Sequence, residues 1–301
     1  MNNVYIWGWY SDYDLSSFDE LVKESCTINN ISISKFGRLL LRIPYIRGYY
    51  MDLIKKKFNN LSDNDNTLFL SDDILYYDDL LKSLVESNCK IIILIRNKIN
   101  ANHKVNLSLA RQATDKIYTF DEGDADKYNI EFIEQYLPVT YSSIKNENKN
   151  SKDKIAYFIG LDKGRKDSLE ELSINLKKEG VICNFTLVRK SLVRRFFGKS
   201  DGISYQENIE NVFESDFLVE INSKGQDGLT LRALESVFYK KKLITNNRNI
   251  CNFDFYNPQN IYVLNDDFKV PKSFILSEYD ESAHLDLDRH LASKVYLRLM
   301  E

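Results

Sequence analysis

Apolar positions in this 301-residue chain come in short runs separated by helix-length segments, and the pattern runs through twice. In the first half, residues 4–9, 67–70, 90–95 and 116–119 have the length and β-rich composition of strands, while 17–25 and 77–86 carry helical spacing. Strands alternating with such helices predict βαβ units and a parallel sheet. Residues 142–154 are polar and charged with no periodicity, and predict a solvated linker. The pattern then restarts. Residues 155–160, 181–188, 217–221, 242–245 and 261–264 predict strands, and 168–179, 205–214 and 229–239 predict helices. Leu169, Leu172 and Leu176 share one face of the 168–179 helix, which Gly180 is placed to close. In 283–299, Leu285, Leu287, Leu291, Val295 and Leu299 fall largely at helical spacing, so one face is expected to be buried. The predicted fold class is α/β, with two doubly wound Rossmann-like domains, 1–145 and 152–282, and a final helix over 283–301.

Length supports two such domains, each large enough for its own core. The formal charge of −3 gives no global field for nucleic acid, which is not an expected partner. Cys26, Cys89, Cys183 and Cys251 are far apart with no CxxC pair, as expected of reduced thiols. Three histidines without HExxH spacing argue against a His-based metal site or a Ser-His-Asp triad. Asp286 and Asp288 fall in a helical or loop setting, and no metal is expected. The opening residues lack a basic start and a long apolar run, and no stretch approaches the ~20 apolar residues of a membrane span. A cytoplasmic protein is expected.

The most informative stretch is 224–247. A small-residue loop with Gly225 and Gly228 follows a strand and opens a helix near Thr230, offering free N–H groups and a positive dipole end to a phosphate. Thr230 adds a hydroxyl, Arg232 a planar fork for a diphosphate, and Glu235 a carboxylate for the two ribose hydroxyls. The competing reading is an ordinary strand–loop–helix with Arg232 and Glu235 as a surface ion pair.

This stretch resembles the nucleotide-sugar site of GT-B glycosyltransferases, where an acidic residue precedes a glutamate by eight positions. Here these are Asp227 and Glu235, the first an aspartate where the family has glutamate. The resemblance extends to bacterial polysaccharide and lipopolysaccharide biosynthesis transferases. It is carried by Gln226, Gly228, Leu229, Thr230, Arg232, Glu235 and the strand 241–245, and by 117–132, 158–165 and 252–264. It implies a GT-B architecture, with two Rossmann-like domains facing across a cleft and the last helix returning to the first domain. It also implies metal-independent sugar transfer from a nucleotide-sugar substrate, with no cofactor, to a saccharide or lipid-linked acceptor in capsule or lipopolysaccharide assembly.

Other candidates are read from position. The loop 160–166 places Lys163 and Arg165 at a strand end, where cations could neutralise a diphosphate leaving group; a solvated turn is the alternative. Tyr205, at a helix start after Ser204, is a candidate to stack on the base, or else a core tyrosine. In the first domain Asp12 is the candidate general base if the reaction inverts, or else a turn cap. Asp72, Asp73 and the acids of 121–124 share that ambiguity. Residues 38–58 carry six cations against one acid among Leu, Ile, Tyr and Phe, which suits an anionic membrane surface and a peripheral location at its inner face. Residues 189–199 add a second basic patch. Cations snorkelling over a core are the alternative for both. Against transfer stand a nucleotide-sugar epimerase or hydrolase of the same fold, and a non-catalytic partner-binding subunit.

Overall fold

The computed structural model describes residues 2–10, 15, 17–18, 21–22, 26–41, 43–61, 65–99, 106–138, 153–188, 205–222, 228–282 and 286–301. The chain divides into two compact units. The first comprises Met1–Glu134, Pro138–Thr140 and Leu291–Glu301; the second comprises Gln135–Leu137 and Tyr141–His290.

The first unit holds strands β1 (Asn2–Trp7), β2 (Cys26–Asn30), β3 (Asn66–Ser71), β4 (Lys90–Ile95), β5 (Ile117–Thr119) and β6 (Glu131–Phe132). They form one sheet in the order β2-β1-β3-β4-β5-β6, and every pairing is parallel. The middle strands are buried along their length, as parallel strands covered on both faces must be. Helices α1 (Lys35–Leu40), α2 (Pro44–Asn59), α3 (Asp78–Val85), α4 (Leu107–Ala113) and α5 (Glu122–Tyr128) belong to the same unit.

Residues 38–58, read as one cationic stretch, are divided between two helices. Pro44 disfavours helical backbone at Ile43, which is extended (φ −91°, ψ 112°), and itself takes the first turn of α2. Strand β2 was not predicted, because its polar sequence is half exposed at the sheet edge. Of the helix expected over 17–25, the described residues 17–18 and 21–22 are helical.

The second unit holds β7 (Ile155–Leu161), β8 (Ile182–Val188), β9 (Phe217–Glu220), β10 (Lys242–Thr245) and β11 (Ile261–Val263), all parallel in the order β8-β7-β9-β10-β11. Its helices are α6 (Lys166–Lys178), α7 (Tyr205–Glu214), α8 (Leu231–Phe238), α9 (Lys272–Leu276) and α10 (Leu287–His290). Leu169, Leu172 and Leu176 are buried against Phe158, Phe217 and Ile244. Gly180 takes φ +79° after the end of α6.

The helix expected over 283–299 is broken at Leu291, which is extended, and continues as α11 (Ala292–Met300). Residues 291–301 belong to the first unit. There Tyr296 stacks on Phe18 (centroids 4.5 Å apart, planes at 19°), tilts onto Phe69 at 5.3 Å and meets the Trp9 ring edge-on at 6.4 Å. Lys90 donates to the Met300 carbonyl.

The first residue of β10 sets up a pH dependence. Lys242 is buried, its ammonium donating to the Phe274 carbonyl and to the carbonyl and hydroxyl of Ser277 (2.8 and 2.7 Å), 4.1 Å from the Phe274 ring centre. Burial first, then Lys154, pulls this ammonium down to about 8 from 10.5. Between those values the unfolded chain holds a proton that the folded chain has lost, so stability rises with pH across that window and is lost as pH falls through about 8. The difference in unfolding free energy between the wild type and Lys242→Met is expected to grow over that window. Parallel profiles would rule out the assignment.

Candidate functional site

In the second sheet β7 lies between β8, which follows it in sequence, and β9, reached on the opposite side. The connections therefore diverge at the carboxyl ends of β7 and β9, the position at which open α/β sheets bind ligands. The residues leaving these two strands build the candidate site.

After β7 the chain turns through Lys163 (φ +42°) and Gly164 (φ +81°), closed by the Arg165 N–H donating to the Asp162 carbonyl (2.8 Å). Arg165 precedes α6, whose start has no side-chain cap. Its guanidinium folds back over the strand end: a Cβ added at Gly160 would lie 3.1 Å from Arg165 Nη1, so Gly160 leaves the room this position needs. Burial pulls the Arg165 pKa down, and the Glu220 charge opposes that shift. Lys163 is exposed on the turn.

Glu220 ends β9 and is only 3% exposed. Its two oxygens accept from the hydroxyls of Thr230 and Thr245. Burial pushes its carboxyl up, against those hydroxyls and the charges of Arg232 and Arg165. Beyond the strand ends, the Asn222 N–H donates to the Asn246 side chain (2.7 Å), whose amide donates back to the Asn222 carbonyl (3.2 Å).

Thr230 caps α8, accepting from the Arg232 N–H (3.2 Å) while its hydroxyl serves Glu220. One turn apart on α8, Arg232 and Glu235 form an ion pair at 2.7 Å. Arg232 also donates to the Asn208 side chain of α7 (3.3 Å) and lies 5.2 Å from the Tyr157 ring centre. Tyr157 donates to the same Asn208 oxygen at 3.1 Å, and burial pushes its phenol up to about 12. Glu235 is 4% exposed; burial raises its carboxyl, with Arg232 and then Asn208 opposing. The pair is thus interior rather than on the surface.

The structure accordingly brings Arg165, Thr230, Arg232 and Glu235 to the strand ends of one unit, with Lys163 on the adjoining turn and half-buried Gly228 before α8. Asp12 and Asp227, and the 189–199 patch, lie outside the described residues; Tyr205 opens α7, with its side chain likewise undescribed. Sequence reasoning missed Glu220, Asn208 and Tyr157. An acid inside the otherwise apolar run 217–221 was a readable sign, since a charge is buried there only with partners.

The first sheet has the equivalent divergence, between β1 and β3. Gly8 (φ +94°) leaves β1, and any Cβ there would run into the Ser71 side chain at the end of β3. Burial, then Asp73, raises the Tyr10 phenol, which hydrogen-bonds Asp73; the Arg38 guanidinium lies 4.0 Å from the Tyr10 ring centre. Asp72 accepts from the Arg96 N–H (3.2 Å) and the Asn97 amide (3.1 Å), and burial raises its carboxyl. Asp121 caps α5 and pairs with Lys98 at 3.5 Å, and Asp124 accepts from the Ile99 N–H at 2.6 Å. Among the described residues no group of three His, Cys, Asp or Glu side chains converges to hold a metal ion. No helix among them is long and apolar enough to cross a membrane.

No protein family and no curated protein matches the chain in sequence. Among solved structures it is similar to an α,α-trehalose-phosphate synthase (UDP-forming) from Burkholderia vietnamiensis, at 9% identity and a TM-score of 0.59, over 99% of this chain and 96% of that one. It also matches the Glycosylation Associate Protein (Gap123) complex from Streptococcus agalactiae, at 14% identity and a TM-score of 0.49. That match covers 82% of this chain and 54% of the other, so the chain spans about half its length. Two all-parallel sheets of 6 and 5 strands, with the whole-length likeness to the synthase, give the chain the α/β fold of the GT-B glycosyltransferases.

Proposed function

We propose that the chain transfers a sugar from a nucleoside-diphosphate donor to a saccharide, in its finer form a lipid-linked saccharide of surface-polysaccharide assembly. What supports this reading above all is the cluster at the β7/β9 divergence, where two arginines and two buried carboxylates surround the start of α8. Glu235 holds Arg232 in place before any ligand arrives, and the Glu220 charge acts on Arg165 nearby, so less ordering is left to the binding step. The Arg165 guanidinium, the Lys163 ammonium and the N–H groups opening α8 then face the charge that grows on a departing diphosphate, while Arg232, turned inward to Glu235 and Asn208, braces the start of α8. Gly228 lets the backbone approach, and Asp227 and Tyr205 are the proposed contacts to sugar and base. Asp12 remains the proposed acceptor-side base, with the first unit receiving the acceptor. No metal is required in this scheme.

Calorimetric titration with UDP, GDP, CDP and dTDP is expected to find at least one that binds. Lys163→Gln is expected to weaken it about tenfold or more, the loss of one charge-assisted contact, without lowering the melting temperature. No binding by any of the four would overturn the reading. Product analysis with the matching nucleotide sugar separates transfer from epimerisation or hydrolysis, and binding without turnover would favour the non-catalytic subunit.

A further inference from the structure

Helix α2 is apolar on two opposite faces. Met51, Ile54 and Phe58 point into the core of the first unit. On the other side Tyr45, Tyr49 and Leu53, spaced four apart and so aligned in one stripe, are 96%, 71% and 44% exposed. Ile46 extends the stripe, and α1 adds Phe36 (69% exposed) and Leu39. Large aromatic side chains held in water along a stripe mark a surface that meets something else.

The charge around the stripe says what. Helix α2 carries Arg47, Lys55, Lys56 and Lys57 against one acid, Asp52. Lys55 is turned toward Asp52 (3.7 Å) and Asp79 (3.9 Å), while Arg47, Lys56 and Lys57 are exposed. The chain as a whole is net negative, so this cluster is a local reversal of sign that would orient the molecule on an anionic surface. Lysines are depleted where proteins dock on one another, whereas a Tyr, Phe and Leu stripe edged by Lys56 and Lys57 is the composition of a helix lying in a lipid headgroup layer.

We propose that this face of α1 and α2 docks on an anionic lipid bilayer, the aromatic stripe entering the headgroup region and Lys56 and Lys57 meeting lipid phosphates and carboxylates. The proposal stands apart from nucleotide binding, because the face lies in the first unit and the donor cluster in the second.

The test is co-sedimentation of the full chain with phosphatidylcholine vesicles, with and without phosphatidylserine. The expected result is binding to the phosphatidylserine vesicles that falls as salt is raised, with little binding to neutral ones. Tyr45→Ser/Tyr49→Ser and Lys56→Gln/Lys57→Gln are each expected to weaken it at least tenfold. Unchanged melting temperature and unchanged nucleotide titration would show these exposed substitutions leave the fold and the donor site alone. Absence of vesicle binding, equal binding to neutral vesicles, or equal binding by both variants would overturn the proposal. So would a dimer in solution that Tyr45→Ser/Tyr49→Ser dissociates, since the stripe would then be covered by a second copy.

Discussion

Replacing Arg232 with alanine is expected to cost about 3–5 kcal/mol of stability, because it leaves the Glu235 carboxylate buried without its counter-charge. The cost should shrink as pH is lowered, since protonation removes the uncompensated charge. Removing both partners at once, as Arg232→Met with Glu235→Leu, should recover most of the loss, because two apolar side chains leave no charge to solvate. Both tryptophans, Trp7 and Trp9, lie in the first unit, so far-UV circular dichroism through urea is the suitable readout for this change in the second. A single-variant cost under about 1 kcal/mol, the value of an exposed pair, would show that the ion pair is open to water. The same burial makes Glu235→Gln, which keeps the side chain's shape, the better probe of the ribose contact expected of Glu235.

Tyr296→Ala is expected to cost a comparable amount, about 3–5 kcal/mol, the range for deleting a buried aromatic side chain. Tyr296 is buried among Phe18, Phe69 and Trp9, so its loss opens a cavity walled by three rigid rings that cannot collapse to fill it. Tryptophan fluorescence reads this directly through Trp9: the urea midpoint should fall, and native emission should shift to the red as water enters. Tyr296→Phe should cost far less, since it keeps the ring contacts. A small loss for Tyr296→Ala would mean that α11 is held by other contacts.

The strands of both sheets were largely legible because parallel strands covered on both faces become continuous apolar runs, as at Ile91–Ile95 and Leu243–Ile244. Strand β2 was not, because an edge strand half in water has no such run. The break before Pro44 follows from local stereochemistry and could have been anticipated, but the cationic pattern on either side obscured it. At the cluster between β7 and β9, the side-by-side placing of Thr230, Arg232 and Glu235 at the start of one helix was legible from their spacing. Their arrangement was not, since Asn208, Tyr157 and Glu220 come from elements far away in sequence and only the sheet order brings them in. Local spacing suggests two side chains reaching outward; the long-range contacts turn both inward.

The placement of residues 291–301 in the first unit has a consequence for how the protein is made. On the ribosome, residues 2–134 emerge well before the segment that supplies Tyr296, and the whole of 141–290 is synthesised in between. Until then Trp9, Phe18 and Phe69 lack their partner and leave an apolar hollow that a chaperone or a second nascent chain can occupy. Residues 141–290 of the second unit are made before that segment, so the half whose synthesis starts first is completed after them.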